Sequence, residues 1–163
     1  MVSVLFVCLG NICRSPAAEG VLRHLAEEQG YANDLQVASC GIGDWHVGEP
    51  ADYRMRSAAK SRGVTLDGKA QKFLLSFFDT FDHILVVDEK MLKDLFALAP
   101  PSAHPKLNLI THFSPKYKDQ PIPDPYYGGE AGFANVLDII HDSCKGLLMH
   151  IFQTDIKTPI HYS

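Results

Sequence analysis

The chain has little net charge, few cysteines, a single tryptophan and no long apolar run, and each shortage excludes something. A formal charge of −4 over 163 residues gives no overall attraction to nucleic acid or to an anionic membrane. The opening apolar stretch, Val2 to Val7, has no basic residue before it and is too short for a secretory signal or a membrane span. A cytoplasmic protein with no nucleic-acid or membrane partner is expected. The four cysteines, Cys8, Cys13, Cys40 and Cys144, are too scattered for a disulfide framework. The spacing of Cys8 and Cys13 is not the C-x-x-C of redox or zinc sites. The eight histidines show no metal-ligand spacing, so neither a metal nor a cofactor is expected. The nucleotide pattern G-x-x-x-x-G-K-[ST] is missing too.

What is present reads as one globular domain, 46% hydrophobic and 21% charged. Residues 1–153 are taken as the domain and 154–163 as a polar tail. Val2 to Val7 reads as a strand buried on both faces, because its apolar residues barely alternate. Ser15 suits an N-cap and Pro16 a first helical residue, so a helix is expected from there to about Gln29. Strands are expected at 35–39, 81–87 and 107–110, and helices at 51–62, 89–98 and along Phe133 to Ile151. Strands alternating with helices predict an α/β fold, a parallel sheet with helices on both faces.

The stretch Cys8-Leu-Gly-Asn-Ile-Cys-Arg-Ser15 lies between the first strand and the first helix. Ligands in such folds bind beyond the carboxyl ends of strands. A loop entering a helix gathers backbone N–H groups into one concavity of positive potential. Gly10 and Asn11 are the residue types that best tolerate the backbone such a loop needs. Arg14 adds a planar fork that grips two oxygens of an anion. The guest this suits is a tetrahedral oxyanion such as phosphate. With Cys8 at the base, the field that favours phosphate also favours thiolate over thiol. Leu9, Gly10, Asn11, Ile12, Cys13 and Ser15 then form the phosphate-binding loop, Cys8 is the nucleophile and Arg14 the clamp. Ser15 can donate a hydrogen bond to the sulfur and help it leave.

A thiolate attacking a phosphate monoester needs an acid for the leaving oxygen. Asp124, set among prolines in Pro121-Ile-Pro-Asp-Pro-Tyr-Tyr-Gly-Gly129, is the candidate. It would protonate the leaving oxygen, then deprotonate the water that hydrolyses phosphocysteine. Trp45, Tyr126 and Tyr127 are candidate pocket walls, and aromatic walls favour a phosphotyrosine-like ester over phosphoserine.

These residues resemble the low-molecular-weight protein tyrosine phosphatase family. Cys8-Leu-Gly-Asn-Ile-Cys-Arg-Ser-Pro16 resembles its C-x5-R-S signature, Trp45-His-Val-Gly48 with Asp52 its variable loop, and Asp124-Pro-Tyr-Tyr-Gly-Gly129 its general-acid segment. The resemblance covers nearly the whole chain. It implies a metal-free, two-step phosphatase on a single-domain, three-layer fold with a central four-stranded parallel twisted sheet. It supports Cys8, Arg14 and Asp124 in the roles above and adds Ser39 as a partner of Asn11. It also implies that Cys13 can form a reversible disulfide with the nucleophile. On its residues alone Cys13 reads equally as a small buried hydrophobe. The family often reads H-x-A-R-Q where this chain reads Gly68-Lys-Ala-Gln-Lys72, so the histidine brace on the loop asparagine is expected to be absent or replaced.

The expected partners are a phosphotyrosine protein or an aryl phosphate, with inorganic phosphate as product and inhibitor. The expected state is a monomer, with weak self-association through the rim left open. Two other functions compete. Arsenate reduction on the same fold needs a downstream cysteine pair, and Phe77 to Leu95 contains none. A non-catalytic phosphotyrosine-binding module would be expected to have lost the cysteine, arginine or aspartate, and all are present.

Overall fold

The computed structural model describes residues 1–125 and 129–154. Four strands form one sheet: β1 (Val2–Cys8), β2 (Leu35–Gly41), β3 (His83–Val86) and β4 (Leu107–Leu109). Their order is β2-β1-β3-β4 and every pairing is parallel. Among the described residues five α-helices accompany them: α1 (Arg14–Glu28), α2 (Tyr53–Lys60), α3 (Phe77–Thr80), α4 (Glu89–Leu98) and α5 (Gly129–Phe152). The expected α/β fold, a four-stranded parallel sheet flanked by helices, is the observed one.

Val4 to Val7 of β1 are wholly buried, as a strand covered on both faces requires. The chain runs from β1 outward to β2, then crosses back past β1 to β3 and β4. Right-handed crossovers in opposite directions put helices on opposite faces. They also open a crevice at the carboxyl end of β1, where the direction reverses. Cys8, the last residue of β1, stands there.

Some local expectations differ. The helix after β1 begins at Arg14, and Ser15 is not its cap. Cys13 occupies the N-cap position with no side-chain bond, because the Ser15 hydroxyl is engaged in the loop. The second helix is shorter than expected and is capped by Asp52, whose carboxylate accepts the Arg54 N–H at 2.8 Å. The third strand begins at His83 and not Phe81, since the chain is still leaving α3, a turn the sequence did not signal. Among the described residues no helix is long and apolar enough to cross a membrane. Tyr126 and Tyr127 lie outside the described residues, as does the tail from residue 155 onward.

Candidate active site

The loop from Cys8 to Arg14 is held by its carbonyls. The oxygens of Cys8, Leu9, Ile12 and Cys13 accept N–H groups from Ile42, Gly43, Asp52 and Ala17 at 2.7–3.1 Å. All these donors lie on flanking segments, so the carbonyls face outward. In a planar peptide the following N–H points the opposite way. The amides of Leu9, Gly10, Cys13 and Arg14 therefore turn toward the inside of the loop. That is an anion nest, and α1 begins on it.

The backbone turn falls on Asn11, with φ of 57°, and not on Gly10, which has no positive φ. Asparagine is the non-glycine type best suited to that region. Its side chain fixes the conformation with three bonds: Oδ1 accepts the Gln71 N–H at 2.9 Å, and Nδ2 donates to Ser15 Oγ at 2.7 Å and Ser39 Oγ at 3.0 Å. Gly10 answers a different need, because a Cβ there would stand 3.0 Å from the His46 ring. Gly41, at the end of β2, lies close against the loop backbone. A Cβ on it would lie 2.9 Å from the Asn11 nitrogen, the Gly10 carbonyl carbon and the Leu9 oxygen.

Cys8 Sγ sits 2.9 Å from Ser15 Oγ and accepts the Asn11 N–H at 3.2 Å. Arg14 is buried, and its Nη1 donates to the Ile122 carbonyl at 2.9 Å. Its Nη2 comes within 4.0 Å of Asp124 Oδ2. A pocket of about 240 Å³ is lined by Cys8, Leu9, Gly10, Ile12, Cys13, Arg14, Trp45, His46 and Asp124. The structure thus brings together the candidate nucleophile, clamp, acid and tryptophan wall. Asn11 and Ser15 stand behind the pocket with Ser39, as supports.

The four cysteines are free. Burial, with the negative charges of Asp52, Cys8 and Asp124 added, pushes the Cys13 thiol up to about 12. Burial also pushes up the thiols of Cys40 and Cys144, so both behave as core groups. Among the described residues no cluster of side chains fits a metal ion.

Among the described residues no histidine braces Asn11, and Gln71 reaches it instead. Gln71 supplies its backbone N–H to Asn11 and its side-chain amide to the Ser39 carbonyl at 2.8 Å. Two supports escaped the sequence reading, Gln71 and Glu19, whose Oε1 accepts the Ser39 hydroxyl at 2.8 Å. Gln71 acts through a long-range backbone contact and leaves no local signal. Glu19 does leave one: Ser15, Glu19 and Arg23 recur every four residues on α1, one face of the helix.

The chain matches, over residues 3–157, the family model described as low molecular weight phosphotyrosine protein phosphatase. It is 39% identical over 148 residues to the low molecular weight protein-tyrosine-phosphatase of Streptomyces coelicolor, covering 89% of this chain and 90% of that one. It is 38% identical over 148 residues to the human low molecular weight phosphotyrosine protein phosphatase, covering 90% and 93%. Among solved structures, a protein tyrosine phosphatase from Entamoeba histolytica with Hepes in its active site superposes with a TM-score of 0.91 at 37% identity, over 94% and 98% of the two chains. Vibrio vulnificus Wzb in complex with benzylphosphonate superposes with 0.80 at 28% identity, over 91% and 98%. A loop of this build on this sheet, with a family match over residues 3–157 and these relatives covering 89–94% of the chain, puts the chain in the low molecular weight phosphotyrosine protein phosphatase family.

Proposed function

We propose that the protein hydrolyses phosphotyrosine in two steps through a phosphocysteine on Cys8. The observation that carries this reading is the single pocket in which Cys8, Arg14 and Asp124 meet over the inward-turned amides. In the first step the Cys8 thiolate attacks phosphorus and the bond to the aryl oxygen breaks. Asp124, as the carboxylic acid, gives its proton to that oxygen. Arg14 and the loop amides hold the non-bridging oxygens, where charge is greatest in the transition state. In the second step water attacks phosphorus, Asp124 takes a proton from it, and the P–S bond breaks to return thiolate. Ser15, 2.9 Å from the sulfur, donates to it as it leaves. Inorganic phosphate is the product, and the same cradle binds it as an inhibitor.

Trp45 supports an aryl substrate, because it is largely exposed and lines the pocket beside Cys8. The benzylphosphonate held by the Vibrio vulnificus relative has that shape, a ring one atom from a phosphorus oxyanion. Cys13 lines the same pocket and supports a protective role. Hydrogen peroxide oxidises the Cys8 thiolate to the sulfenic acid, the Cys13 thiol attacks that sulfur, and water leaves with formation of the disulfide. We take residues 1–153 as the catalytic domain.

The test is hydrolysis of p-nitrophenyl phosphate with a chelator present, for the wild type beside Cys8→Ser. Turnover in the first and none in the second is the expected result. Equal turnover in the two proteins, or none in folded and fully reduced wild type, overturns the reading.

A further inference from the structure

A line of hydrogen bonds leaves the pocket from Cys8 and ends on a carboxylate, and its protons can be assigned. The Gln71 N–H can only donate, so the Asn11 atom facing it is the amide oxygen. The Asn11 Nδ2 then gives its two protons to Ser15 Oγ and Ser39 Oγ, and both hydroxyl oxygens are acceptors. The Ser39 proton goes to Glu19 Oε1 at 2.8 Å. The Ser15 proton has two outlets, the Cys8 sulfur at 2.9 Å and the Cys40 carbonyl at 3.3 Å. It can serve the sulfur as a thiolate and turn to the carbonyl once the sulfur carries phosphate.

Glu19 is itself fixed. Arg23 Nη2 reaches Glu19 Oε2 at 2.9 Å and the Val37 carbonyl at 3.0 Å, tying the pair to β2. Arg23 also offsets the carboxylate charge, so Glu19 acts through geometry and places no strong negative field on Cys8. Without this acceptor the Ser39 hydroxyl loses the bond that orients it, and its oxygen is no longer held in place to accept from the Asn11 amide.

We propose that Glu19 is a positioning residue of the reaction: by accepting the Ser39 proton it keeps the Ser39 oxygen as an acceptor for the Asn11 amide, and so steadies that amide where its other proton goes to Ser15 and leaves the Ser15 proton available to the Cys8 sulfur. The proposal rests on the reading of Cys8 as nucleophile.

The test is the pH dependence of Cys8 alkylation by iodoacetate, followed by peptide mass, in wild type, Glu19→Ala and Glu19→Gln. The groups round Cys8, namely Arg14, His46 and Asp124 in the pocket and Cys13 and Cys40 beside it, are common to all three. Losing one hydrogen bond to a charged sulfur is worth about tenfold in thiolate. Glu19→Ala should therefore alkylate with a midpoint roughly one pH unit higher. Its kcat on p-nitrophenyl phosphate should fall about tenfold with KM little changed. Glu19→Gln keeps an oxygen acceptor for Ser39 and should recover most of both losses. An unmoved midpoint in Glu19→Ala overturns the proposal, and so does a Gln variant no better than Ala. Should Glu19→Ala fail to fold, Ser39→Ala cuts the same line and must give the same upward shift. Wild type inert toward p-nitrophenyl phosphate would defeat the phosphatase reading, while the alkylation comparison would still decide the role of Glu19.

Discussion

Arg14 Nη2 and Asp124 Oδ2 stand 4.0 Å apart on the wall of one pocket, with Arg14 buried and Asp124 half exposed. Arg14 also holds the carbonyl of Ile122, two residues before Asp124. The clamp of the proposed mechanism thus anchors the segment that carries its proposed acid. In that mechanism substrate binding and proton delivery share one mechanical support.

Asp124→Asn keeps that geometry and removes the transferable proton. For phenyl phosphate, a poor leaving group, kcat should fall on the order of 10²–10⁴-fold. For p-nitrophenyl phosphate, whose leaving oxygen needs little protonation, the fall should be much smaller. Steady-state kinetics on the two esters make the comparison. Equal losses on both would exclude Asp124 as the acid and leave it an electrostatic role.

Gly41 and Gly68 offer a contrast in what a methyl group meets. At Gly41 the new Cβ would press on loop backbone at 2.9 Å, which cannot swing aside as a side chain can. Gly41→Ala should cost about 1–3 kcal/mol of stability and displace the loop. The loss of kcat/KM should be tenfold or more, on the order of what a misplacement of this kind costs. At Gly68 the nearest atom is Glu19 Oε2 at 3.8 Å, and no positive φ is needed. Gly68→Ala should gain about 0.4–1 kcal/mol by restricting the unfolded chain. Thermal melts and p-nitrophenyl phosphate turnover of the two variants check both signs. A Gly41→Ala enzyme with wild-type activity would show that the loop does not depend on this contact.

The same contrast explains what could be read from the sequence. β1 and the loop after it were legible because a strand buried on both faces has an unmistakable composition, and the residues after it are the types an anion nest demands. The helices carry their apolar period, and α5 buries Phe133, Val136, Leu137 and Ile140 as that period requires. Ser15 misled. Serine before proline is a good cap by local rules, yet a tertiary demand, the bond to Cys8, took its hydroxyl. Gln71 was invisible because it serves Asn11 through its main chain, sixty residues away. Any residue but proline supplies that N–H. The histidine could be seen to be missing at Gly68, but the contact from Gln71 to Asn11 needed the path of the segment that follows β2.

Outside the pocket lining, His141 on α5 sets a pH limit on the fold. Its ring is buried, and burial together with the positive charge of Arg62 pulls it down from 6.5 to about 4. Between those values the unfolded chain binds a proton that the folded chain refuses. Stability therefore rises with pH through this window, and is lost as pH falls from 6.5 toward 4. His83, also pulled down chiefly by burial and then by His150, adds to the loss in the same direction. The full linkage at His141 would be about 3 kcal/mol, and residual solvent contact reduces it to on the order of 1–2 kcal/mol. His141→Gln keeps a polar side chain and cannot titrate. Its melting temperature should drop less between pH 7 and pH 4.5 than that of the wild type, by roughly 2–8 °C. Parallel curves for the two proteins would mean that His141 is protonated in the fold at no cost, and that the acid limit lies with His83 and the carboxylates.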